Sequence, residues 1–504
     1  MREKTSKRVV TSIIVLSILS IFAIGAFALY NYSQSVDKFY KNVKINGVDV
    51  GGLNINEASG VIEAEFVANR EDLSVQFEYE NKIWKYTYKD FEMVDDFSPM
   101  VRVAQDEISS NNFFERYIKR KQLKESDGNV FISYRNFLGG FDKKIDLICD
   151  DIYQELREPE VIFTPNEKNN FSYKDGQDEI LVDREKLENI IDEEFKISKN
   201  IRVKIPTIIN KPEESVEQLK NKTKLRSSFS TSYANSNSDR KHNIKTALNS
   251  FNGLVVYPDE EVSFNATTGM RTKENGYKSA NIILNGVYVE GTGGGVCQAS
   301  TTLYNAILLA NLEITEVNKH SMPASYVPLG QDAMVSEGIS DLKFKNTSGE
   351  PIYIKTKCDN TSANVQVFGL GFENGDYYKT RSEFVKSLPH LGDRIVKDVD
   401  GKYSDKVTFK GEYLRLKYPS EGYEANLYLQ HYTNDDKLID EMLIRHETYL
   451  PQEGIIIEGT EDVYDGVELP KNDVKFIPPQ TSSNTKSDNI SNKLSGAYGE
   501  KYNP

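Results

Sequence analysis

The stretch EGTGGGVCQASTTLYNAILLANL, Glu290–Leu312, sets four glycines and a cysteine directly ahead of a helix-like run. From Ser300 the pattern changes: Leu303, Ile307 and Ala310 recur at i, i+4 and i+7, one apolar face of a helix. Ser300 or Thr301 is the expected N-cap. Cys297 then falls just before a helix N-terminus, where unsatisfied N–H groups and the positive end of the helix dipole favour an anion. A thiolate is such an anion, and thiol pKa values fall at these positions. Gly293, Gly294 and Gly295 accept backbone angles closed to other residues and let a ligand backbone come close. The N–H groups from Gly295 to Gln298 are candidates to hold the oxyanion of an acyl-transfer intermediate. Gly294, Gly295, Gln298, Ser300 and Thr301 form the expected oxyanion- and substrate-binding set.

Blander readings exist. A glycine-rich loop before a helix also suits phosphate, but no Lys follows as a P-loop requires. A lone cysteine is ordinarily a small buried hydrophobe. The glycines, the cap and the polar QAST set Cys297 apart from Cys149 and Cys358, which lack this setting and are read as structural.

A thiolate nucleophile needs a base and a group to orient it. Only His242 and His320 lie near this region. His320, in NKHSMPASYVPLG, follows the helix and an apparent strand, and is the preferred partner; His242, at an exposed-looking helix start, is the weaker one. Asp341 (SDLKF) and Asp332 (GQDAMV) compete to orient the imidazole, with Asp341 first because it stands at a strand entrance.

The chain has 504 residues, 38% of them hydrophobic, so about three domains are expected. Its net charge of −14 argues against a general nucleic-acid or anionic-lipid binder, since phosphate needs a basic surface. Three cysteines make no disulfide framework. There is no CxxC, HExxH or His–Cys cluster among only five histidines, so neither a metal site nor a cofactor is expected.

At the N-terminus, Arg2, Lys4, Lys7 and Arg8 precede the uncharged run Val9–Tyr30, 22 residues long. That length crosses a hydrocarbon core of about 30 Å as a helix. The basic flank, 1–8, should remain cytoplasmic, which puts everything after about residue 31 outside. Ala26–Ala28 offers a signal-peptidase site, but the apolar run exceeds a usual signal core and an uncleaved anchor is expected.

Beyond the anchor the pattern is α+β. Residues 43–220 carry strand–helix alternations that suggest two related halves, with a helix capped near Asn56 and another over Pro99–Lys124. A second domain spans 225–370. A β-rich piece follows over 380–460, and a polar tail from 465 to 504 should be structureless.

The order GGGVCQASTTLYNA, HS, YVPLGQDA and DLKFKN closely resembles the VanW domain over roughly 225–370. One departure is YPDEEVSFN, where Asp259 replaces a turn glycine. The region 43–220, with INGVDVGGLNINEA, is similar to the repeated peptidoglycan-binding domain that often precedes VanW domains. Residues 380–460 resemble only faintly the glycine-rich module that often follows. The resemblance implies a membrane-anchored L,D-transpeptidase facing the wall of a Gram-positive cell. Cys297 would be its nucleophile, His320 its motif histidine, and peptidoglycan stem peptides its substrate. An L,D-carboxypeptidase and a non-catalytic wall-binding or glycopeptide-resistance accessory stay open beside it.

Overall fold

The computed structural model describes residues 2–33, 38–110, 112–125, 128–284, 287–469 and 474–476, and the chain is a mixed α+β protein of two compact units. One comprises residues 1–158 and 177–213; the other comprises 159–176 and 214–504.

The first unit begins with the helix Arg2–Ser33. Its stretch Val9–Ala28 is long and apolar enough to cross a membrane, a property shared by anchors and signal sequences. Beyond it, Ser74–Tyr79 pairs antiparallel with Lys82–Thr87 and parallel with Asn200–Lys204. Helices Ile55–Ala68, Ser98–Ile108, Phe141–Ile152 and Arg184–Ile197 bury their apolar faces in one cluster with this sheet. Two local expectations change. The cap of Ile55–Ala68 is Asn54, not Asn56, because Asn54 and Glu57 close a reciprocal capping box. The span 99–124 is two helices, Ser98–Ile108 and Phe113–Glu125. Between them Ser110 and Asn112 accept the N–H groups of Asn112 and Phe114, a local bonding that competes with the helix ladder.

The second unit is built on an antiparallel sheet in the order Lys224–Ser232, Ser362–Gly369, Ile352–Cys358, Leu254–Val256. Helix Val296–Leu309 lies against it, with helix Ser238–Asn249 alongside. Twelve of the fourteen residues of Val296–Leu309 are buried, so it is the centre of the core and not a surface helix with one apolar stripe. Leu303 and Ile307 are each worth about 1.5–3 kcal/mol in burial. A smaller sheet, Glu261–Ser263, Lys343–Lys345 and Glu313–Glu316, carries the loops that reach the helix N-terminus. Asp259 takes φ +64 before it, a left-handed angle that Asp tolerates where glycine is usual.

The region 380–460 is not separate from this unit. Strands Tyr377–Leu388, Gly422–Tyr432 and Leu438–Tyr449 form a long antiparallel sheet, and Leu427 and Leu429 enter the same apolar core as the central helix. Residues 159–176, read with the first region, cluster here as well. Of the tail, Lys475–Phe476 forms a short strand beside Tyr413–Lys417; residues 470–473 and 477–504 lie outside the described residues.

Candidate active site

The helix starts earlier than its polar residues suggest. Gly295 is its N-cap at φ +107, and Cys297 lies in the first turn rather than ahead of it. Gly293 is also left-handed, at φ +85. A Cβ on Gly295 would stand 2.8 Å from Arg240 Cγ, and one on Gly293 3.0 Å from Arg271 Cβ. The glycines therefore serve the turn and the close approach of two arginine stems. Asn243, fully buried, pins this loop: its Nδ2 donates to Gly294 O at 3.0 Å and Lys278 O at 2.9 Å.

The polar side chains of the helix are already engaged, which corrects their reading as substrate ligands. Gln298 donates to Thr231 Oγ1 and Ser232 O. Ser300 donates to Ala333 O at 2.6 Å, and Thr301 Oγ1 accepts the Ala333 N–H at 3.0 Å. Ser300 and Thr301 thus tie the helix to the segment bearing Asp332. Gln298 N–H closes onto Gly295 O at 2.9 Å. Among the described residues no hydrogen bond engages the N–H groups of Gly294, Gly295 and Cys297.

His320 meets Cys297. His320 and Cys297 lie near enough to shift each other's protonation, while the thiol itself donates to Val335 O at 3.4 Å. Ring nitrogen Nδ1 faces Asp332 Oδ2 at 2.7 Å, so Nε2 is the atom toward sulfur. The same carboxylate oxygen accepts the His320 backbone N–H at 2.7 Å. Asp332, not Asp341, is therefore the orienting acid. Asp341 accepts the N–H groups of Asn265 and Leu342 and the hydroxyl of Ser263, and so holds the start of helix Phe264–Thr268. His242 is likewise elsewhere, with Nε2 on Gly276 O at 2.8 Å.

The electrostatics follow from this contact. Burial pushes the Cys297 thiol up, but the hydrogen bond and charge of His320, helped by Arg271, outweigh it and hold the thiol below its ordinary value. Burial lowers His320, while Asp332 and Cys297 raise it, to about 9. Burial raises Asp332, and hydrogen bonds from His320 and Tyr449 bring it below the usual carboxylate range. The other two thiols go the opposite way: burial raises both Cys149 and Cys358, the latter to about 11.

Sequence reasoning passes over three residues tied to this site. Tyr326 is half-buried; burial first, then the negative charge of Cys297, push its hydroxyl up. Arg271, with a side chain 10% exposed, lends positive charge to the thiol and bonds Asn265. Tyr449 reaches Asp332 from far along the chain. Tyr326 lies inside YVPLGQDA, a signal already in hand; Tyr449 has none.

A half-buried Cys and His with a buried Asp, at the N-terminus of a core helix inside a mixed α+β unit, make up the site. Residues 239–368 match the family described as VanW like protein, so the chain carries a VanW-like domain there. It is 37% identical over 174 residues to the uncharacterized protein YoaR of Bacillus subtilis, across 34% of this chain and 55% of that one. It is 33% identical over 131 residues to the vancomycin B-type resistance protein VanW of Enterococcus faecalis, across 25% of this chain and 48% of that one. The chain thus spans about half the length of the curated relatives it matches. Among solved structures, the IgA1 protease G5 domain covers 18% of this chain and 99% of its own at 15% identity and a TM-score of 0.12, which carries no argument about the fold.

Proposed function

We propose that this chain is a cysteine-dependent L,D-transpeptidase that forms 3→3 cross-links between peptidoglycan stem peptides. The observation that supports it most is the His320–Asp332 pair, Nδ1 to Oδ2 at 2.7 Å, with Cys297 in the first turn of the core helix and near enough to His320 for each to shift the other's protonation. The apolar N-terminal helix fits a site held outside the membrane, its basic flank staying inside.

In this reading the steps are these. Cys297 thiolate attacks the carbonyl of the third stem residue, a diamino acid, and an S–C bond forms as the carbonyl electrons move onto oxygen. The N–H groups of Gly294, Gly295 and Cys297 receive that oxyanion. The intermediate collapses, the bond to the terminal D-Ala breaks, and His320 gives its proton to the leaving amine. A side-chain amine of a second stem then attacks the thioester, yields a proton to His320, and expels the thiolate.

Water in place of the amine would make the same thioester an L,D-carboxypeptidase, and an accessory protein would form no thioester. Intact-mass spectrometry of the protein with a disaccharide tetrapeptide decides: an acyl adduct on Cys297, with 3→3 dimers as products, is the expected result. Dimers still formed by Cys297→Ala would overturn it, and hydrolysed tripeptide alone would replace transfer by hydrolysis.

A further inference from the structure

Asp332 is held from outside the matched segment. Its Oδ1 accepts the hydroxyl of Tyr449, and its backbone carbonyl accepts Nη1 of Arg445 at 2.8 Å. Both residues lie on strand Leu438–Tyr449, beyond residue 368 where the VanW match ends. The Tyr449 hydroxyl also accepts the Gly330 N–H at 3.0 Å, and Tyr449 is only 1% exposed. Arg445 lies over the Tyr304 ring of the central helix at 5.6 Å and pairs with Glu447 at 2.7 Å. Two further bonds bind the same loop to strand Tyr377–Leu388 of that sheet: Ser382 Oγ donates to Leu329 O at 2.7 Å, and Gln331 Nε2 to Thr380 Oγ1 at 3.1 Å.

This arrangement fixes a torsion. The terminal torsion of an aspartate is broad and two-fold, so a carboxylate with one partner can turn. Here Tyr449 occupies Oδ1, which leaves Oδ2 to receive both N–H groups of His320. We propose that Tyr449 and Arg445 are positioning residues for the Cys297–His320–Asp332 site, so that the C-terminal β region completes the site instead of serving as an appended module. The inference rests on the reading of Cys297 as the nucleophile. Tyr449 and Arg445 touch neither sulfur nor substrate; they act through Asp332, which holds the imidazole of His320.

The test measures alkylation of Cys297 by iodoacetamide as a function of pH in the full-length protein in detergent, with peptide mass spectrometry separating it from Cys149 and Cys358. Tyr449→Phe should move the midpoint of the Cys297 profile upward and slow alkylation near neutral pH by about threefold to tenfold, the effect of a rise of roughly half to one unit. Tyr423→Phe, which removes a hydroxyl from the same sheet without touching Asp332, should leave the profile unchanged. Each variant is read beside its melting curve. If Tyr449→Phe does not fold, Arg445→Lys gives the second reading, with the same upward shift expected. A folded Tyr449→Phe or Arg445→Lys protein with the wild-type profile overturns the positioning role. Wild-type Cys297 reacting no faster than Cys358 overturns the nucleophile reading itself, and this inference with it.

Discussion

Asp332 Oδ2 receives both N–H groups of His320, the backbone amide and Nδ1, each at 2.7 Å. One oxygen therefore sets the position of the chain and the orientation of the ring together. Asp332→Asn removes the charge that keeps the imidazole protonated, and kcat for cross-linking should fall about 10²–10⁴-fold with little change in KM. Asp341→Ala should do the reverse. It leaves buried N–H groups of Asn265 and Leu342 unpaired and should cost about 1–3 kcal/mol of stability, with the rate per folded molecule unchanged. Melting curves beside steady-state kinetics separate the two.

The pH dependence has a definite sign on each side. The thiol is depressed, so its thiolate is present above that lowered value and is lost as pH falls through it. His320 is raised to about 9, so its proton is present below that and is lost as pH rises through it, together with the acid that protonates the leaving amine. The expected kcat/KM profile is a bell with its alkaline limb near 9. Its acid limb should fall below the ordinary thiol value of about 8.5, both limbs belonging to the coupled pair. A single rising limb at the ordinary thiol value would contradict the pairing.

The same shift bears on stability. A histidine raised above its unfolded value of about 6.5 contributes stability that is complete below that pH. The contribution is lost as pH rises through about 9. The melting temperature should fall across that window, and the slope should flatten in His320→Gln.

Tyr326 is half-buried, and its hydroxyl feels the charge of Cys297. If it donates to the oxyanion with the backbone N–H groups, Tyr326→Phe should lower kcat by about 10²–10³-fold, with KM nearly unchanged. A Tyr that only walls the pocket would move KM instead.

Gly295→Ala should destabilise by about 1–3 kcal/mol, since a side chain at a left-handed angle is strained. It would also press to 2.8 Å from Arg240 Cγ. Gly276→Ala, at φ +83 in open space, should cost only the backbone term of about 1–2 kcal/mol. Chemical denaturation of the two variants tests the difference.

The central helix is legible in Leu303, Ile307 and Ala310, but its start is not. A helix buried on every side has no amphipathic contrast to mark its ends, and Ser300 and Thr301, which look like caps, are bound to Ala333. Cys297 and His320 can be paired from the sequence because each type is scarce there. The acid cannot: Asp332 and Asp341 both stand near strands, and the choice is made by Tyr449, 117 residues further on, at a separation that leaves no local pattern. The β-rich character of 380–460 is plain from its alternation. That Leu427 and Leu429 complete a neighbour's core is not, because alternation shows which face is apolar and never what covers it.

Twelve of the fourteen residues of Val296–Leu309 are buried, and this has a consequence for every measurement made on Cys297. Amides in such a segment exchange with solvent only when the whole unit opens, since no local fluctuation frees a helix packed on all sides. Cys297 itself is half-buried at one end of it. A reagent that reaches the sulfur under native conditions therefore reports on the folded pocket and not on a transiently unfolded chain.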